Sequence, residues 1–148
     1  MNARELVVEL GMKLGIALEL SDAGTCRVHF DNDDVDFEQA GSALYIMADL
    51  ASAAGREDIY GRLLMANGLG AESGGACIGL DAGRDTFTMY TALRGDMSYE
   101  DFEAELALFI KALRYWKEWL ALSPVSTPSA STAVQAGGSP FTAGMLRI

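Results

Sequence analysis

The sequence is poor in the residues that build covalent or metal-held scaffolds. Only two cysteines, Cys26 and Cys77, and one histidine, His29, occur in 148 residues. Two cysteines make no disulfide framework and no four-ligand zinc site. Proline is missing from the first 123 residues and then falls at Pro124, Pro128 and Pro140. No apolar run approaches the roughly 20 residues of a membrane-spanning helix, which excludes a helical membrane protein. Positive charge is scarce, with eleven Lys and Arg against twenty-one Asp and Glu and a net charge of −10. Such a surplus repels a phosphate backbone, so nucleic acid is not an expected partner. The opening MNARELVVEL carries Glu5 and Glu9 where a secretory leader has an uncharged apolar stretch. The expectation is a soluble cytoplasmic protein.

What is present is apolar material in one part of the chain. Half of the residues are hydrophobic, enough for one core. From Ser123 to Ile148 there is no Asp or Glu, and Ser, Thr, Ala, Pro and Gly dominate. That composition offers too little bulk to offset the entropy of ordering. The chain therefore divides into a domain at 1–122 and a flexible tail at 123–148. Arg147 is the tail's one charged side chain, so the domain carries −11. The tail ends in Phe141, Met145, Leu146 and Ile148, an apolar end able to occupy a groove on the domain.

Hydrophobic periodicity orders the domain. Leu6, Val7, Leu10 and Leu14 form one helical stripe over residues 4–14, ended by Gly15. Thr25–Asp31 alternates, with Cys26, Val28 and Phe30 on one face and Arg27 and His29 on the other. Val35 and Phe37 repeat the alternation as a hairpin partner, and Ala43–Leu50 is a third strand. Arg56–Leu69 returns to helical spacing through Ile59, Leu63 and Ala66. Ala76–Asp81 and Thr86–Leu93 are two further strands. Ser98 caps a long helix whose apolar face runs Phe102, Leu106, Phe109, Leu113, Trp116 and Leu120. The order α-β-β-β-α-β-β-α predicts an α+β fold with a twisted antiparallel sheet packed by helices.

Catalytic and metal chemistry find no support in these residues. Cys26 and His29 are three apart on one strand, so their side chains point to opposite faces and form no dyad. Both cysteines are expected to be buried small hydrophobes. The run from Asp31 to Asp36 suggests calcium, but Asp36 and Ser42 stand where an EF-hand loop needs glycine and glutamate. A solvated hairpin turn is the expectation there. The glycines from Gly68 to Gly75 follow a helix and precede a strand, the reverse of a dinucleotide loop, and Glu72 would repel phosphate. No cofactor, metal or catalytic set is expected.

Taken together, these segments resemble the class I type III secretion chaperones, the CesT/SycE-like family that includes the Tir chaperone. The resemblance rests on the first amphipathic helix, Leu18–Cys26, Arg27–Asp31, Val35–Glu38, Leu63–Leu69, Gly75–Asp81 and the closing helix Phe102–Leu120 with Trp116. It implies an ATP-independent cytoplasmic homodimer that binds the N-terminal segment of a secreted effector in extended form and releases it to the secretion ATPase. It further implies effector grooves on the first helix and first three strands, with Leu6, Leu10, Val28, Phe30, Phe37, Leu44 and Ile46 as candidates. Helix 56–69 and strand 76–81 would form the dimer interface, with Ile59, Leu63, Leu64 and Ile78 as candidates. Gly61 inside that helix costs about 1 kcal/mol against alanine and points to close approach of another backbone. The alternative reading is a YbjN-like regulatory module acting on a folded protein partner. A small-molecule enzyme would instead need a deep pocket with convergent polar groups.

Overall fold

The computed structural model describes residues 1–125. The apolar end of the tail and most of the segment 123–148 lie outside the described residues. Three helices and five strands follow the expected order: α1 (Ala3–Leu14), β1 (Thr25–Phe30), β2 (Asp33–Ala40), β3 (Ala43–Ser52), α2 (Tyr60–Ala66), β4 (Cys77–Asp81), β5 (Thr86–Arg94) and α3 (Tyr99–Leu122). The strands form one antiparallel sheet in the order β1-β2-β3-β5-β4, so β1 and β4 are its edges.

Local chemistry sets the helix ends. Asn2 accepts the Glu5 amide while Glu5 accepts the Asn2 amide, a reciprocal cap that opens α1. Gly15, at φ 70°, closes it in the left-handed conformation that glycine enters without strain. Ser98 accepts the Asp101 amide at 3.1 Å and opens α3.

One face of the sheet and the three helices enclose the core. Val28, Val35, Phe37, Leu44, Ile46, Phe87 and Met89 point inward against Phe102, Leu106, Phe109, Leu113 and Trp116 of α3. The opposite face carries a cross-strand row, Arg27, Asp36, Met47, Tyr90 and Cys77, one residue from each strand. Cys77 is exposed and Cys26 is part-exposed. The expectation that both thiols are buried is therefore corrected, since β4 is an edge strand and Cys77 sits on its solvent side.

The second helical segment is shorter than its periodicity predicts. Residues 57–59 and 68–70 are 3-10 turns flanking a seven-residue α2, and Leu69 inside the second turn has φ 58°. The glycine stretch after it is a structural loop. Asn67 bonds both the amide and the carbonyl of Ile78 at 2.8 Å, and Trp116 Nε1 donates to the Glu72 carbonyl at 2.9 Å. α2, β4 and α3 are thereby tied together through one loop.

Candidate binding surfaces

Among the described residues, two of the surfaces that expose apolar side chains also form a depression. The first lies where the C-terminal end of α1, the end of β1 and the middle of α3 meet. There Leu14, Phe30, Ala107 and Ile110 form the apolar part of an open cleft of about 620 Å³. His29, Asp31, Lys111 and Arg114 complete its lining. Met12 of α1 and Ile16 just beyond its end are also exposed.

The polar wall of this cleft is held by Asp33. Its side chain is 8 % exposed and accepts Arg114 Nε and Lys117 Nζ, both at 2.8 Å. Burial alone would push this carboxyl up, but the hydrogen bonds and charges of Lys117 and Arg114 outweigh it and hold it below the usual carboxylate range. Arg114 also reaches Asp31 at 2.9 Å and the Phe30 carbonyl at 3.4 Å. Those contacts to Asp33 and Asp31 raise its guanidinium further above its ordinary value. The run Asp31–Asp36 is thus only partly a solvated turn, because Asp33 pins the β1–β2 hairpin to α3. His29 and Asp34 pair across the two strands outside the cleft floor.

The second surface lies on α2, the following turn and β4. Leu64, Met65, Leu69 and Leu80 are exposed, Leu69 completely. A small depression of about 130 Å³ is lined by Tyr60, Leu63, Leu64, Ile78, Gly79, Leu80 and Phe87. Beside it, a methyl group added at Gly61 would meet nothing within 4 Å. No backbone of the described residues approaches Gly61, so its lack of a side chain serves no contact inside the chain.

The sequence-derived candidates divide between these surfaces and the core. Leu6, Leu10, Val28, Phe37, Leu44 and Ile46 are core side chains of the single chain, none more than 4 % exposed. Phe30 alone of that set is part-exposed and lines the cleft. Ile59, Leu63 and Ile78 are buried, with Leu63 and Ile78 forming the floor of the depression, while Leu64 stands out at 70 % exposure. In the sequence Leu14 is legible only as part of the α1 stripe. Ile110, Lys111, Arg114, Met65 and Leu80 carried no signal in the sequence, because the segments that unite them are far apart along the chain.

Among the described residues no three His, Cys, Asp or Glu side chains are grouped as metal ligands would be. Among those residues also, no helix is long and apolar enough to cross a membrane.

The model of the Tir chaperone protein (CesT) family matches residues 5–117. No curated protein matches the chain. A chain of the ExsC–ExsE complex superposes with a TM-score of 0.69 at 21% identity, covering 81% of this chain and 97% of that one. A chain of the HopA1–SchA chaperone–effector complex gives 0.64 at 21%, covering 77% and 91%. A chain from the Yersinia pestis structure of the type III secretion chaperone SycH with a fragment of YscM2 gives 0.60 at 20%, covering 76% and 98%.

Proposed function

Since the chain belongs to the Tir chaperone protein (CesT) family, we propose that it is an ATP-independent cytoplasmic chaperone for a secreted effector. It binds the effector's N-terminal segment in extended form and keeps it competent for export, working as a homodimer. The observation that carries this reading is the cleft beside β1. An edge strand there borders an open cleft of about 620 Å³ with Leu14, Phe30, Ala107 and Ile110 as its apolar part, the combination that accepts an extended polypeptide. Backbone hydrogen bonds to an edge strand supply affinity, and alternate side chains of the guest enter the apolar pocket. The guest loses conformational entropy when it binds, so many modest contacts along its length must offset that cost.

Support also comes from the company the fold keeps. The solved structures similar to this chain include complexes named as chaperone with effector and as a type III secretion chaperone with a bound fragment. The exposed face of α2 and β4 supports self-association, because Leu64, Met65, Leu69 and Leu80 form an apolar patch that no described residue covers.

Affinity capture of the tagged full chain from its source cells, with secretion blocked, tests the reading. Mass spectrometry identifies the partner, and light scattering on the recovered complex gives its stoichiometry. The expected result is a dimer holding one secreted protein through its N-terminal segment. A monomer, or a dimer bound only to folded cytoplasmic proteins, overturns it.

A further inference from the structure

We infer that the α1–β1–α3 cleft selects a cargo segment in which an Asp or Glu lies within two residues of an apolar anchor, and that Lys111 is the residue that selects it. This rests on the assignment of the cleft to cargo binding. The chain as a whole carries −10, yet the cleft is lined by His29, Lys111 and Arg114 against the single acid Asp31. Two of the three basic groups are already engaged. Arg114 is committed to Asp33 and Asp31, and His29 to Asp34.

Lys111 is different. Among the described residues it makes no ion pair and no hydrogen bond. Its neighbours one helical turn away are Ala107, Leu108, Arg114 and Tyr115, so α3 offers it no acid, and Arg114 repels it. It stands next to Ile110, whose side chain helps form the apolar floor.

An extended guest that drops one apolar side chain onto Leu14, Phe30 and Ile110 places its next side chains within about 7 Å of that anchor. A carboxylate there meets the Lys111 ammonium at the border of an apolar surface, where the attraction is less screened than in open water. The distant negative charges of the domain do not cancel this. At physiological salt they are screened beyond about 8 Å, so the cleft's own charges decide the contact. A guest with Lys or Arg at the same place would lose that contact and face the unpaired Lys111 ammonium instead.

Panning a phage-displayed library of random 12-residue peptides on the full chain tests this. The wild type, Lys111→Glu and Leu14→Asn are compared, the last removing an apolar wall without adding charge. Peptides kept by the wild type are expected to carry Asp or Glu within two positions of an Ile, Leu, Val, Met or Phe. Lys111→Glu is expected to keep peptides with Lys or Arg there instead. A synthetic wild-type-selected peptide should bind Lys111→Gln roughly fivefold more weakly. Equal carboxylate content on the wild type and Lys111→Glu, or no recovered peptides, overturns the inference. Peptides that lack the carboxylate bias but are lost on Leu14→Asn overturn the charge rule and leave the cleft standing as the binding site. Peptides indifferent to both variants sink the two together.

Discussion

Asp33 sits at the start of β2 beside a hairpin turn, yet its carboxylate joins two cations of α3, Arg114 and Lys117, from more than 80 positions away in the chain. Removing the charge leaves both cations without their nearest acid and leaves Arg114's contacts to Asp31 and the Phe30 carbonyl to hold the hairpin to α3. At neutral pH Asp33→Asn should cost about 1–2 kcal/mol, the lower part of the range because Arg114 and Lys117 are half and one-third exposed and rehydrate. The pH dependence has a definite sign. The folded carboxyl is held below its ordinary value, so its contribution is full above about pH 4 and is lost as pH falls through the lower folded value. Urea titrations at pH 7 and at pH 3 should show the gap between wild type and Asp33→Asn shrinking in acid. A gap that stays constant would mean that the effect is not ionic. Position alone does not separate Asp33 from Asp31, Asp34 and Asp36, because all four look like hairpin solvation until α3 is laid beside them.

At the scale of elements, α1 depends on a residue that its own periodicity does not explain. Gly11 is buried in the last turn of α1, and a methyl group there would meet Leu18 Cβ at 2.7 Å and the Ile16 carbonyl oxygen at 2.8 Å. The chain after Gly15 doubles back across this helix, and only glycine lets it approach so closely. Helix propensity favours alanine over glycine by about 1 kcal/mol. Packing should win here, because the obstacle includes backbone, and Gly11→Ala should destabilise the protein by about 1–3 kcal/mol. Chemical denaturation checks it, and a gain in stability would show that the 16–18 segment yields easily.

The helix α3 is the opposite case. Its buried positions, Phe102, Leu106, Phe109, Leu113, Trp116 and Leu120, recur with helical spacing over about five turns, so its phase is legible from sequence. The strand faces are legible for the same reason. α2 is legible only in part: Ile59, Leu63 and Ala66 are buried at the spacing the sequence predicts, but the segment breaks into seven helical residues between two 3-10 turns, which the spacing does not show. Adjacent Leu63 and Leu64 end up 5 % and 70 % exposed, as that stripe implies, but nothing in the spacing says what covers Leu64.

For the whole molecule, a core that one chain completes is set against apolar surface that none of its described residues covers. The core is closed by α3, with Trp116 fully buried and Arg62 stacked over it at 5.1 Å. The domain therefore does not need a partner to complete its core. Among the described residues nothing covers Leu64, Met65, Leu69 and Leu80 on one face, and Gly61 is open beside them. Leu69 holds a left-handed backbone at φ 58°, a conformation that costs a branched apolar residue about 1 kcal/mol or more. Covering that face with its own copy would remove the leucines from water and give Gly61 a backbone to meet. A buried glutamate at the centre of such an interface faces its own symmetry mate, and both charges lose water. Leu64→Glu should therefore weaken the dimer roughly 100-fold or more, about 3 kcal/mol. Light scattering across a dilution series should show a dimer for the wild type and the monomer mass for Leu64→Glu at micromolar concentration. The circular dichroism of the two should agree, since Leu64 contributes little to the core. Met12→Glu, which places the same charge on the exposed side of α1, should leave the mass unchanged. If Met12→Glu dissociates the dimer and Leu64→Glu does not, the self-associating face lies on α1, and the α2–β4 patch is left for a different partner.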